Sequence, residues 1–378
     1  MSADAMKAIG VRPALKEVAM LDHQKPVIME STQVKVRTID VGICGTDREI
    51  CTFVYGGSPA EGSDYLILGH ESLGEVIEVG ASVTAFKVGD LVVPSVRRPC
   101  SDPTCRPCAA GRQDFCQTMD FTERGIKGQH GFMTAFWVED QKYLTLVPPT
   151  LRDYAVLAEP LTIAEKGIAQ LWELQKRLPW ANTTPGKRPG EGLNAVVLGA
   201  GPIGILGAMK CILEGFNTYV YSRSKKPNDK AAIIEAIGAE YISNLEVSPA
   251  ELAEHIGSID FVYEALGVAQ VSFDVIDVMG MNAAFCFTGI PEPEGKITIT
   301  GNQLMRNLVL KNQLIYGTVN ADGPAFTQAI ADLSEIQTRW PEALHNIITA
   351  RFTPEDYNEL LVGKPGGIKN VIAFDQES

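Results

Sequence analysis

"NAVVLGAGPIG", residues 194–204, decides how the rest of the chain is read. NAVVLG (194–199) is a short apolar run ending in glycine, as a strand buried on both faces of a sheet should be. PIGILGAMKCILEG (202–215) follows with helical spacing. Between them Gly199, Gly201 and Gly204 stand in the G-x-G-x-x-G pattern, in the strand-then-helix setting the pattern requires. The first glycine permits a tight turn, the second lets a pyrophosphate approach the backbone, and the third lets helix and strand pack closely. The loop of Gly199, Gly201, Pro202, Ile203 and Gly204 is therefore expected to hold a dinucleotide against the free N–H groups of the helix start.

Working outward, strands are expected at 217–222, 259–266, 282–290 and 312–320, with a helix at 230–239. That alternation predicts an α/β fold with a doubly wound parallel sheet. Upstream the texture differs. Segments 33–43, 72–80 and 90–96 mix alternation with β-branched residues, and 159–178 has helical spacing. LPWANTTPGKRPGEG (178–192) reads as a surface connection at a domain boundary. From about 323 the chain returns to helix and then a last strand at 370–374.

The residues closing the second strand choose the cofactor. An Asp or Glu there would bind the ribose 2′-hydroxyl of NAD. This chain has Ser222, Arg223, Ser224, Lys225 and Lys226 instead, with no acid before Asp229. Arginine and serine suit a 2′-phosphate, so NADP is the expected preference, with NAD possible.

With 378 residues, 45% hydrophobic and 21% charged, the chain fits a folded protein of about two domains. No apolar run approaches the roughly 20 residues of a membrane span, and MSADAMKAIGVRP lacks the plan of a secretory signal, so cytoplasm is expected. A net charge of −13 would repel phosphate backbones and excludes nucleic acid as a partner.

Four of the eight cysteines crowd into CSDPTCRPCAAGRQDFC (100–116) as Cys100, Cys105, Cys108 and Cys116. In reducing cytosol such a cluster points to metal before disulfide. Four thiolates close a tetrahedron around zinc and leave no position for substrate, which makes the site structural. A redox pair at Cys105 and Cys108, or free thiols, are the alternatives. A second set is dispersed: Cys44 in GICGTD, His70 and Glu71 in LGHES, and Glu159 in LAEPL. Cys44, His70 and Glu159 would give a catalytic zinc three protein ligands and one open position. Neighbouring His70 and Glu71 diverge on an extended backbone and reach one metal only if the chain turns there, so Glu71 is read as an occasional ligand or one acting through water.

GICGTD (42–47), GHE (69–71), VGDLVVP (88–94), the cysteine lobe and GAGPIG, in that order, resemble the zinc-dependent medium-chain alcohol and polyol dehydrogenases. RRPC (97–100), FTERGI (121–126), GQHGFM (128–133), AEPLTIAEK (158–166) and GTVN (317–320) are most similar to that family's glucose 1-dehydrogenase branch. The resemblance implies a GroES-like catalytic domain from 1–192 and 320–378, with a zinc lobe near 97–118, and a Rossmann domain at 193–319. It implies oxidation of an aldose at C1 to the lactone, one catalytic and one structural zinc per subunit, and a homo-oligomer, tetramer or dimer. Thr46 matches the hydroxyl of the proton relay, and Glu71 the carboxylate beside the metal. Glu71, Glu123, Glu159 and Asn320 match positions meeting sugar hydroxyls, Asn320 also the nicotinamide end. The family more commonly spaces its first lobe cysteines x2, whereas Cys100 and Cys105 are x4 apart. Rival readings are another sugar, a polyol or threonine as substrate, a zinc-free quinone or enone reductase, and a non-catalytic NADPH-binding protein.

Overall fold

The computed structural model describes residues 5–180, 186–291, 295–363 and 365–374; residues 181–185 of the expected 178–192 connection lie outside them. The chain forms two compact units. One comprises residues up to 162 with 320–337 and 348 onward, and the other comprises 163–319 with 338–347.

The second unit is built on a six-stranded sheet. Its strands run in the order Glu240–Ser243, Asn217–Ser222, Asn194–Leu198, Phe261–Glu264, Ala284–Phe287 and Leu314–Gly317. Every pairing is parallel. In sequence numbering this order is 3-2-1-4-5-6, the doubly wound arrangement that binds dinucleotides where the order reverses. Asn194–Leu198 is the first strand and sits at that reversal. Both its faces are covered, which is why its sequence is apolar without alternation: Val196 and Leu198 pack with Val262, Phe285 and Ile276. Helix starts are marked by polar side chains, as where Asn228 accepts from the Ala231 N–H and Ser248 and Glu251 form a reciprocal cap.

The long helix Ala158–Gln175 contributes its body to this second unit. Trp172 stacks on Phe216 at 5.4 Å, and its Nε1 donates to Glu214. Lys210 bridges Glu165 and Glu214 at 2.9 and 2.7 Å. The sequence reading puts the first boundary at 192; these contacts place the division at 162/163, so Glu159, in the helix's first turn, stays with the first unit.

The first unit is β-rich. A seven-stranded sheet has Gln33–Gly42 between Glu71–Val79 on one side and the carboxy-terminal strand Lys369–Ala373 on the other. A hairpin of Ala5–Arg12 and Glu17–Gln24 pairs in turn with Leu66–Ile67. Val34, Val36, Val41, Leu68, Val76, Trp137 and Ile372 form the shared core. A small third sheet pairs Arg97–Arg98 with Thr122–Arg124, setting Arg97 opposite Glu123, and the cysteine segment loops out between these two strands.

Candidate metal and substrate site

Gln33–Gly42 ends at Cys44, which precedes the short helix Gly45–Cys51. Asp47 closes this helix start by accepting the Cys44 N–H at 2.9 Å, and accepts the Gly69 N–H at 3.2 Å. Gly69 takes φ +86, a left-handed turn that a side chain resists, and the strand Glu71–Val79 begins two residues later. The turn resolves the divergence expected of neighbouring side chains: the donor atoms of Cys44, His70 and Glu71 lie within 4.8 Å of one another. Glu159 is not one of this set. Its carboxyl is still close enough to feel the charges of His70, Glu71 and Lys369, and burial pushes its pKa up to about 7. Thr46 is half-buried in the first turn of the short helix, beside Cys44.

Sequence reasoning passed over two partners. Asp47 is fully buried, with Oδ1 3.4 Å from His70 Nδ1. Its C-x-x-D spacing from the residue before the helix is a capping signal that could have found it. Lys369, 2% exposed, pairs with the Glu71 carboxylate and donates to the Ile43 carbonyl at 3.0 Å. A lysine inside the apolar strand KNVIA was the available hint, because a buried ammonium needs a partner.

The charges ask for a cation. Burial would favour neutral His70, but Asp47 and the Cys44 sulfur hold its pKa well above the ordinary value. Burial likewise opposes the ammonium of Lys369, and Glu71 and Cys44 outweigh it. A thiol, an imidazole and a carboxylate converge in one place, with the imidazole and the carboxylate buried. That donor set fits zinc.

In the lobe, the four cysteines are free of disulfides and their sulfurs lie within 4.8 Å of one another. Cys100 and Cys108 sulfurs are 3.7 Å apart, and those of Cys105 and Cys116 3.9 Å. Zinc with bonds of about 2.3 Å to four thiolates requires tetrahedral edges of about 3.8 Å. The x4 spacing at Cys100 therefore does not keep that sulfur from the cluster.

Beside the lobe lies a buried polar group. Arg97 Nε and Nη2 both approach Glu123 Oε1 at 3.0 Å, and Asn320 Nδ2 donates to the same oxygen at 3.3 Å. Asn320 sits at φ +58.

In the second unit, Gly199 has φ +101, and a Cβ on Gly204 would stand 2.1 Å from the Gly199 carbonyl oxygen. A Cβ on Gly201, by contrast, would meet nothing within 4 Å, so the backbone there is open to a ligand. The helix Pro202–Glu214 starts at this point. After the next strand, Lys225 pairs with Glu246 at 3.2 Å and Lys226 with Glu235 at 2.8 Å. The Arg223 side chain is exposed and has no partner among the described residues, which leaves it as the cation open to a 2′-phosphate; Ser222 is half-buried and Ser224 exposed beside it. The cradle and its charge fit NADP.

Two family models match the chain. Alcohol dehydrogenase GroES-like domain covers residues 30–149, and glucose dehydrogenase C-terminus covers 152–374. The chain is 37% identical to the glucose 1-dehydrogenase of Methanocella arvoryzae, over 97% of this chain and 99% of that protein. It is 38% identical to the glucose 1-dehydrogenase of Metallosphaera sedula, over 97% and 98% respectively. Among solved structures, Haloferax mediterranei glucose dehydrogenase in complex with NADP, Zn and gluconolactone matches with a TM-score of 0.86. Sequence identity is 27%, and the match covers 98% of this chain and all of that one.

Proposed function

Because the chain belongs to the glucose 1-dehydrogenase family of GroES-domain oxidoreductases, we propose that it oxidises D-glucose, or an aldose of the same stereochemical class, at C1 to the lactone, with NADP as hydride acceptor. The observation that carries this reading is the convergence of Cys44, His70 and Glu71 in the unit that also buries Glu123 and Asn320. A site lined with such acceptors favours a polyhydroxylated substrate, since a ligand lacking the hydroxyls would leave them unpaired.

Cys44 and His70 would hold a catalytic zinc, with Glu71 and Glu159 as the nearby carboxylates. When bound, that ion supplies Lewis-acid polarisation of an oxygen at C1, and the dinucleotide supplies the hydride acceptor. Asp47 faces His70 Nδ1 and so orients the ring, leaving Nε2 for the metal. Lys369 holds the Glu71 carboxylate in place and balances its charge inside the site. Thr46 Oγ1 offers a hydroxyl for relaying the substrate proton outward. In the second unit the glycine loop would hold the pyrophosphate, and Ser222, Arg223 and Ser224 would meet the 2′-phosphate.

Cys100, Cys105, Cys108 and Cys116 would hold a second, structural zinc that folds the lobe. The unpaired thiols suit a reducing compartment, which supports a cytoplasmic enzyme. No helix of the described residues is long and apolar enough to cross a membrane. A homo-oligomer, dimer or tetramer, is supported by the terminal strand Leu314–Gly317 of the six-stranded sheet and by exposed Met305, Val309 and Leu310 on the preceding helix.

Zinc-replete protein assayed on pentoses, hexoses and polyols with both cofactors tests the proposal. Aldose oxidation with higher kcat/KM for NADP is expected; preference for an acyclic polyol would overturn the aldose reading. Cys44→Ser should lower kcat by roughly 10³-fold or more, the equivalent of several kcal/mol of charge stabilisation, while the Kd for NADPH changes little.

A further inference from the structure

Glu123 and Asn320 are both 8% exposed. Arginine usually spreads its fork over both oxygens of a carboxylate. Here both donors of Arg97 and the amide of Asn320 fall on the single oxygen Oε1. No described residue hydrogen-bonds Glu123 Oε2, and Asn320 Oδ1 is buried without a partner. The orientation of that amide follows from its neighbour, because a carboxylate only accepts and the NH₂ must face it. Leaving Asn320 Oδ1 buried without a partner is costly, and the residue also holds a left-handed backbone. The buried open acceptor Asn320 Oδ1, beside the unengaged Oε2 of Glu123 in one hydrogen-bonded unit, is matched by a ligand bringing hydroxyl donors.

What holds this pair comes from the cysteine lobe. Arg97 Nη1 donates to the Asp114 carbonyl at 3.2 Å, and the guanidinium lies 3.7 Å over the Phe121 ring. Arg112 grips the Asp114 carboxylate at 2.8 and 3.0 Å and reaches Asp322, two residues beyond Asn320, at 3.0 Å. Arg112, Gln113 and Asp114 lie between Cys108 and Cys116, inside the thiol cluster's own loop.

We propose that Arg97 is a positioning residue for sugar recognition: braced by the lobe, it occupies Glu123 Oε1 and so presents Glu123 Oε2 and Asn320 Oδ1 together as acceptors for two substrate hydroxyls. The inference rests on the aldose reading and names residues through which the cysteine lobe acts on substrate choice. Its test compares D-glucose with its monodeoxy analogues in wild type, Arg97→Met, Arg97→Lys, Glu123→Gln and the Arg97→Met/Glu123→Gln double variant. Wild type should favour glucose over at least one analogue by roughly tenfold or more in kcat/KM. Arg97→Met should raise the glucose KM by about tenfold, lower kcat by a smaller factor, and erase most of that discrimination. Its KM for NADP and zinc content should stay near wild type even as Tm falls with the loss of the buried ion pair, whereas a merely structural role would move all of these together.

Arg97→Lys, which keeps the charge but not the fork, should fall between the two. The double variant should be no worse than Glu123→Gln, because Arg97 acts through that carboxylate. Unchanged discrimination in Arg97→Met, or multiplied losses in the double variant, would overturn the inference. Should Arg97→Met fail to accumulate, the discrimination is measured in Arg97→Lys instead: its weakening supports the inference and its persistence overturns it. A wild type that oxidises no aldose overturns the aldose reading and this inference together, whereas aldose turnover with Arg97-independent discrimination overturns the inference alone.

Discussion

Arg223 shows how much one side chain decides once its neighbours are accounted for. The stretch 223–226 reads as a cluster of three cations, yet Lys225 and Lys226 are engaged by Glu246 and Glu235. Arg223→Ala should therefore raise the KM for NADP by roughly 10- to 100-fold, the equivalent of a charge-assisted hydrogen bond of about 1.5–3 kcal/mol, and leave that for NAD nearly unchanged. Steady-state kinetics with both cofactors measures this, and a parallel loss for NAD would contradict it. His130 offers a stability prediction. Its Nδ1 accepts the Ile67 N–H at 3.1 Å, and its ring stacks on Tyr65. Burial, followed by the charges of His23 and Arg124, lowers its pKa to about 4 from an ordinary value of 6.5. A histidine whose folded pKa is depressed stays neutral in the fold, while the unfolded chain takes up the proton first. Its stabilising contribution is full above pH ~6.5 and is lost as pH falls toward ~4. The ring is partly exposed, which discounts the full shift to about 1–2 kcal/mol. Urea midpoints between pH 7 and 4.5 should fall less in His130→Asn, which keeps an acceptor without titrating; an equal fall would sink the assignment.

At the scale of elements, legibility in the sequence followed the range of the forces involved. The strand 194–198 and helix 202–214 are readable because propensity, burial and the glycine pattern agree locally. The strand Glu240–Ser243 escaped notice because one exposed and three buried residues in a parallel sheet show no period. The partnership of Glu71 with Cys44 and His70 depends on the turn at Gly69, and Lys369 joins from the far end of the chain, so neither is visible in local pattern. The cysteine lobe was legible as a cluster, but its grip on Glu123 through Arg97 was not. That pairing follows from register: Arg97 lies opposite Glu123 across two short strands with the lobe between them. Cys108→Ser should remove one zinc per chain by metal analysis and lower Tm. Catalytic zinc should remain, and the glucose KM should rise more than kcat falls. Unchanged Tm and zinc content would refute the structural role. Few apolar contacts hold this segment, since its core is only Cys100, Cys105, Cys116 and Phe121, with Cys108 against it.

On the scale of the whole molecule, the last strand governs the first unit. All five residues of Lys369–Ala373 are buried, between Gln33–Gly42 and Ile348–Phe352. Burial of Val371 and Ile372 contributes about 1.5–3 kcal/mol each, against a total stability of about 5–15 kcal/mol for a typical fold. Losing the strand would also leave the buried Glu71 carboxylate without its ammonium. A chain ending at 363 should keep 163–319 protected from protease while 5–162 is cleaved; equal protection of both would refute this dependence. Synthesis makes the point concrete. At roughly 5–20 residues per second, the Asp40–Gly42 end of the strand Gln33–Gly42 waits tens of seconds for a neighbour that is translated almost last. All six strands of the inserted unit's sheet have emerged by then. The cofactor-holding half is thus completed first, and the half that must choose a sugar keeps an open strand end until the ribosome has nearly finished.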